Sequence, residues 1–279
     1  MPPLSSVKYL SALFLVLTIT LQTTRAQTTD NVISYTLEEN IPYATGDDLI
    51  AEYCKLDAFY PNDRSDLPVL VYFHGGGLKG GTKNIPEYFK EKEIIVFTVN
   101  YRLYPQVATR EILDDAAKAV KWAFDHAEDY GGSTEKIFLS GHSAGGYITS
   151  MLGLDSTYLE KYDLHPDMIA GLIPLSGHTI THMTVREEMG IPETRPVVDA
   201  MAPLYHVKKE TPPYIMITGD RELELLGRYE ENAYMLRMMK LVGNTNSELF
   251  ELQGYGHDMV YPAAPIVVKK IKEICSGLK

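Results

Sequence analysis

Three observations predict an α/β fold with a mostly parallel central sheet and helices on both faces. Short apolar runs recur along the chain, helical periodicity separates several of them, and glycine or polar turns close them. The runs at 68–73 (PVLVYF), 94–99 (IIVFTV), 137–139, 168–175 (MIAGLIPL) and 214–218 (YIMIT) lack strict alternation, as strands buried on both faces do. With 279 residues, 45% hydrophobic and 23% charged, the chain can fill one core, and no linker or internal repeat divides it. One domain over 27–279 is expected.

Residues 1–26 have the layout of an export signal. Lys8 supplies the positive charge, residues 9–20 (YLSALFLVLTIT) form an apolar stretch too short to span a bilayer comfortably, and Ala26 closes the segment. Cleavage there yields an exported protein, secreted or periplasmic, without a membrane span. The formal net charge is −11, and removal of Lys8 and Arg25 makes it two units more negative. An acidic balance without a basic stripe speaks against a nucleic-acid partner. Cys54 and Cys275 are too few for a disulfide framework and read as two separate buried thiols.

Residues 27–47 are polar and read as a loose segment. Residues 49–60 (LIAEYCKLDAFY) put Cys54, Leu56, Ala58 and Tyr60 on one side, as a half-buried antiparallel edge strand would. The strand at 68–73 runs into His74-Gly75-Gly76-Gly77, and the one at 94–99 into Asn100-Tyr101-Arg102-Leu103. Ile112, Ala116, Ala119, Val120, Ala123, Phe124 and Ala127 recur at helical spacing, and Gly131-Gly132 stops that helix. Ile137 to Leu139 then lead into Gly141-His142-Ser143-Ala144-Gly145. Residues 176–211 show no sustained period and read as an insertion covering a site. A helix is expected over 227–242 with Tyr229, Ala233, Leu236 and Met239 on one side. A last strand at 247–252 precedes Gly254-Tyr255-Gly256-His257, and a closing helix spans 262–276.

Parallel sheets present ligands at the carboxyl ends of their strands, and the chemically informative residues fall there. Gly141 to Gly145 fits G-x-S-x-G, a strand–turn–helix whose strained turn lifts a serine above the sheet. Glycine is needed at 141 and 145 because the helix crosses too near the strand for a β-carbon. Ser143 is therefore the candidate nucleophile, and His257 is the candidate base that takes its proton. The glycines after His74 expose backbone N–H groups, so Gly76 and Gly77, with the N–H of Ala144, are candidate oxyanion donors. His74 itself reads as a structural hydrogen-bonder. Two carboxylates after the strand at 214–218 compete to orient His257, namely Asp220 and Glu222. His178 and His182, with Glu187 and Glu188 near, have no third clear ligand and no H-E-x-x-H pattern, so no metal site is assigned.

These motifs resemble the α/β-hydrolase esterases and lipases with an HGGG oxyanion sequence, the hormone-sensitive-lipase-like and kynurenine-formamidase-like carboxylesterases. The resemblance rests on His74-Gly75-Gly76-Gly77, Asn100-Tyr101-Arg102-Leu103, Asp114 or Asp115, Gly141-His142-Ser143-Ala144-Gly145-Gly146 and Gly256-His257, and spans nearly all of 27–279. It implies an α/β-hydrolase fold with a short cap insertion at 176–211, no cofactor, and a serine carboxylesterase acting on small-molecule esters through an acyl-enzyme. Short-chain acyl or acetyl groups, carbohydrate esters among them, are the expected substrates. A serine peptidase or amidase of the same fold and an inactive binding module are the alternatives. The family's acid usually lies three residues past a glycine closing the strand. That position is Glu222 here, where the family carries aspartate, so the resemblance favours Glu222 and leaves Asp220 as the alternative acid.

Overall fold

Branched and aromatic runs build the centre of the molecule. The computed structural model describes residues 33–278, and the expected export signal at 1–26 lies outside them. Eight strands form one sheet among the described residues: β1 (Tyr35–Pro42), β2 (Lys55–Pro61), β3 (Leu67–Phe73), β4 (Ile95–Val99), β5 (Gly132–His142), β6 (Gly171–Leu175), β7 (Tyr214–Gly219) and β8 (Ser247–Leu252). Their order is β1-β2-β4-β3-β5-β6-β7-β8. β1 and β2 run antiparallel to their neighbours, and every pairing from β4 to β8 is parallel.

Register sets the site. Phe73 lies level with Val99 on one side and Gly141 on the other, His142 with Leu175, and Leu175 with Ile217. The loops after β3, β5, β6, β7 and β8 consequently open at one edge of the sheet.

Among the described residues seven α-helices accompany the sheet: α1 (Asp48–Tyr53), α2 (Thr109–His126), α3 (Ala144–Leu154), α4 (Thr157–Glu160), α5 (Met183–Glu188), α6 (Arg228–Leu241) and α7 (Val260–Gly277). Strand alternation divides the core into two layers. Val69, Val71 and Phe73 meet Ile112, Val120, Ile148 and Met151 on one face. Leu70 and Tyr72 belong with Ala263, Val267 and Ile271 of α7 on the other. Each such side chain, fully buried, stabilises the fold by about 1.5–3 kcal/mol. No helix among the described residues is long and apolar enough to cross a membrane.

Four segments differ from the sequence reading. Residues 49–60 do not form one edge strand. Asp47 caps α1 by accepting a hydrogen bond from the Ile50 N–H, so a short helix precedes β2. β2 is then an interior strand, because residues 35–42, expected to be loose, pair with it as the true edge. Helix α6 buries a face adjacent to the expected one: Arg228, Glu231, Asn232, Met235 and Met239 are buried, while Tyr229, Ala233 and Leu236 are half-buried. A charged inner face carries no apolar periodicity, so the pattern misdirected the reading. Residues 176–211 hold α5 and a short 3-10 turn at Pro203–His206. Cys54 is buried, Cys275 is half-buried, and both are free thiols.

Candidate active site

The turn after β5 is shaped by lack of room. A β-carbon on Gly145 would lie 2.0 Å from the Phe73 carbonyl oxygen, and one on Gly141 would lie 2.6 Å from it. Helix α3 thus crosses β3 and β5 at backbone contact, as only glycine permits. Ser143 takes φ 56° and ψ −113°, a strained conformation for a residue with a side chain. The bond from its N–H to the Leu175 carbonyl, 2.8 Å, ties that strain into β6.

His257 lies in the loop between β8 and α7. Its Nε2 is 2.9 Å from Ser143 Oγ, which donates to it. Its Nδ1 donates to Glu224 Oε2, also at 2.9 Å. The structure thus brings Ser143 and His257 together, and the carboxylate behind them is neither of the two expected from sequence.

Asp220 faces the other way. Its Oδ1 accepts the Glu222 N–H at 2.9 Å and its Oδ2 accepts the Gly254 N–H at 2.8 Å, so it stitches the turn after β7 to the histidine loop. The Glu222 side chain is exposed and has no hydrogen-bond or ion-pair partner among the described residues. The physical reason is a helical turn. Both Leu223 N–H and Glu224 N–H bond back to the Asp220 carbonyl at 2.9 Å, which swings residue 222 outward and returns residue 224 over the strand end. Spacing from Gly219 alone could not reveal this; the cue lay in Asp220, whose turn-forming chemistry makes the chain coil before the acid.

Glu224 is held on every side. Its Oε1 accepts the Gly219 N–H at 3.0 Å and the hydroxyl of Ser176, a buried residue with φ 47° at the end of β6. Burial alone would raise its pKa. The His257 hydrogen bond and the N–H groups of Gly219 and Leu225 outweigh this and hold the carboxyl below its ordinary value. Behind Ser176 stands Arg228, 1% exposed. It donates to the Ser176 carbonyl, to Glu231 Oε1 at 2.9 Å and to His178 Nε2 at 2.8 Å. His178 Nδ1 in turn donates to Glu231 Oε1 at 2.8 Å, so the ring is neutral, and burial beside Arg228 pushes its pKa well below the usual range. Sequence reasoning missed Ser176, Arg228 and Glu231 because nothing in residue type separates them from a surface turn and an exposed helix.

The glycine loop after β3 lies beside the serine. A β-carbon on Gly75 would come within 3.4 Å of Ser143 Cβ. Gly76 and Gly77 have φ of 115° and 65°, and a β-carbon on Gly76 would strike the Gly80 carbonyl oxygen at 2.2 Å. Their N–H groups donate to no protein acceptor among the described residues, and Ala144 opens α3, where a helical N–H has no partner in its own helix. His74 stacks on Tyr101 at 4.3 Å and its Nδ1 donates to the Gly75 carbonyl. The Tyr101 hydroxyl donates to the His74 carbonyl at 2.7 Å, which steadies the loop. Arg102 grips Asp115 in a two-pronged pair of 2.7 and 2.8 Å, whereas Asp114 pairs with Lys118 and Lys161.

Segment 176–211 is fastened to this loop. Thr184 Oγ1 donates to the Gly77 carbonyl, Lys79 pairs with Glu187 at 2.8 Å, and Glu188 accepts from Thr109. Glu187 and Glu188 are thereby drawn away from His178 and His182, which are buried against each other. No cluster of three or more metal-ligating side chains occurs among the described residues. Two cavities border the glycine loop. One of about 550 Å³ includes Gly77, Met183, Thr184, Glu187 and Glu193 in its walls. The other, about 360 Å³, is walled partly by Gly75, Tyr88, His142, Asp258 and Tyr261.

Comparison with known proteins agrees with this architecture. The BD-FAE family model matches residues 56–168. A probable N-octanoylanthranilate hydrolase, AqdA2 of Rhodococcus erythropolis, is 29% identical over 216 residues, covering 66% of this chain and 47% of the relative. Carboxylesterase NlhH of Mycobacterium tuberculosis is 34% identical over 97 residues, 33% of this chain and 30% of the relative. The chain thus spans about half or less of the length of these curated relatives. Among solved structures, a truncated carbohydrate esterase from gut microbiota superposes with a TM-score of 0.74 at 14% identity, over 88% of this chain and 98% of the other. Thermogutta terrifontis esterase 2 phosphoramylated by tabun gives 0.69 at 21% identity, over 85% and 94%. With His74-Gly75-Gly76-Gly77 following β3 and Gly141-His142-Ser143-Ala144-Gly145 at the turn from β5 into α3, the chain has the α/β-hydrolase fold and is similar to esterases built on it.

Proposed function

We propose that the protein is a serine esterase that cleaves small neutral esters through an acyl-enzyme. The line from Ser143 to His257 to Glu224, with 2.9 Å at each step, carries the reading. His257 takes the serine proton as Oγ attacks the ester carbonyl, and Glu224 stabilises the imidazolium that forms. The N–H groups of Gly76, Gly77 and Ala144 receive the oxyanion, and each such donor supplies about 3–4 kcal/mol of transition-state stabilisation. Collapse expels the alcohol, protonated by His257, and water activated by the same imidazole releases the acid.

Substrate charge follows from the walls. In one cavity Glu187 is neutralised by Lys79 and Glu193 remains, and the other carries Glu87 and Asp258, so a substrate bearing its own carboxylate meets a net like charge. Segment 176–211 serves as a short cap, fastened at Gly77, Lys79 and Thr109. A short, fastened cap favours acetyl and other short acyl groups, and the solved carbohydrate esterase of like fold extends the candidates to acetylated sugars. Export after cleavage near Ala26 places this activity outside the cytoplasm.

A panel of p-nitrophenyl acetate, butyrate and laurate with acetylated monosaccharides tests the reading. Acetyl and butyryl esters should be turned over faster than laurate, and the Ser143→Ala variant should be inactive on all of them. Wild-type inactivity across the panel, or activity that persists in that variant, refutes it.

A further inference from the structure

His142 precedes Ser143 directly, yet nothing in the proposed reaction uses it. Its Nε2 lies 2.7 Å from the backbone carbonyl oxygen of His257. A carbonyl only accepts, so Nε2 carries the proton and donates, which leaves Nδ1 of the neutral ring as an acceptor. Burial, with His257 close by, pushes the ring's pKa down to about 4, so this state holds at neutral pH. Nδ1 has no hydrogen-bond donor among the described residues, and it lies on the Gly75 side of the ring, 3.2 Å from where a β-carbon of Gly75 would stand. His142 and Gly75 are also neighbours in the wall of the 360 Å³ cavity. A fixed acceptor therefore stands next to the nucleophile, its tautomer dictated by the backbone of the candidate base.

We infer that His142 is a specificity-determining residue whose Nδ1 accepts a hydrogen bond from a hydroxyl or amide N–H of the substrate. The inference rests on the esterase reading and narrows it to esters that carry such a donor close to the scissile carbonyl. A substrate with a methyl group in place of the donor leaves Nδ1 unpaired in a part-buried site, which is the means by which a polar pocket rejects an apolar isostere. Gly75 belongs to the same device, because a larger residue there would cover the nitrogen.

Two isosteric pairs test this from either side of the ester bond. On the acyl side the pair is p-nitrophenyl glycolate and p-nitrophenyl propionate; on the alcohol side it is 2-hydroxyethyl acetate and propyl acetate. Intrinsic reactivity is removed by dividing each rate by that of alkaline hydrolysis. In one pair or the other, the wild type should favour the donor-bearing member by about tenfold or more in kcat/KM. Glutamine can place its amide where Nε2 lies, and asparagine where Nδ1 lies. His142→Gln should bring the preference to within about twofold of unity, whereas His142→Asn should retain most of it, whatever happens to the overall rate. If His142→Gln does not fold by circular dichroism, His142→Phe carries the same expectation. An active wild type with no preference in either pair overturns the inference, as does a preference that survives His142→Gln or His142→Phe. Neither result touches the esterase reading, which falls if the wild type hydrolyses none of the four esters or Ser143→Ala still does.

Discussion

The turn that carries Ser143 and the turn that carries Glu224 open at the same edge of the sheet, yet they are held by different means. At the serine, backbone touches backbone: Gly145 and Gly141 leave no space for even a methyl group against Phe73. At the acid, hydrogen bonds do the holding, with the Gly219 and Leu225 N–H groups and the Ser176 hydroxyl on the carboxylate and Arg228, His178 and Glu231 packed behind it. The first arrangement can be built by only one residue type. The second tolerates any geometry in which a carboxylate reaches the imidazole. That difference explains why motif spacing locates the serine and misses the acid.

The comparison can be broken most forcefully at its shared centre. Ser143→Ala should lower kcat by roughly four orders of magnitude or more with little change in KM, measured on p-nitrophenyl acetate. Next comes the acid, where Glu224→Gln should cost about 10³–10⁴-fold in kcat while Glu222→Gln stays within about twofold of wild type. A large loss in the second variant and none in the first would restore the sequence-based assignment. Helix α6 follows. Arg228→Met strips the partner from buried Glu231 and should destabilise the fold by about 3–5 kcal/mol in urea denaturation, a surface-helix value of under 1 kcal/mol being the contrary result.

Titration sharpens the same contrast. Burial lowers the pKa of His74 and His142 to about 4 and takes His178 and His182 well below their ordinary value. Their unfolded counterparts bind protons near pH 6.5, so the unfolded chain holds more protons throughout the window beneath it. Stability should be full above about pH 7 and fall as the pH drops from 6.5 toward 4, by up to about 1.4 kcal/mol per pH unit for each histidine. A melting temperature flat across that window would contradict the burial of these rings. The smallest effect belongs to Asp220→Asn, which puts an amide N–H against one of two backbone donors and should cost about 1–2 kcal/mol in stability, with kcat reduced less than tenfold.

Much of this was legible in the sequence, for reasons that differ by region. Strands β3 to β7 announce themselves because both of their faces are covered, so the apolar runs are unbroken. The serine turn is legible because crowding selects glycine at two fixed positions. The edge strand β1 was not, since Tyr35–Pro42 is largely exposed and polar, and nothing but pairing with β2 makes it a strand. Helix α6 was misread for a related reason. Its first inward residues, Arg228, Glu231 and Asn232, are polar because they hold His178 and the backbone after β6, and only Met235 and Met239 reach the core. Glu224 escaped notice because a helical turn through Asp220 decides which side chain returns to the strand, and spacing rules assume no such turn.

Thr184, Glu187 and Glu188, all on α5, bond to Gly77, Lys79 and Thr109, so the roof of the pocket and the glycine loop are one piece of joinery. Grafting a relative's 176–211 segment to change substrate range would cut those joints and shift the N–H groups proposed to meet the oxyanion. A transplanted roof would have to travel with its sockets, and substrate range in this scaffold is more cheaply altered in the walls at Tyr88 and Tyr261, which stand apart from those joints.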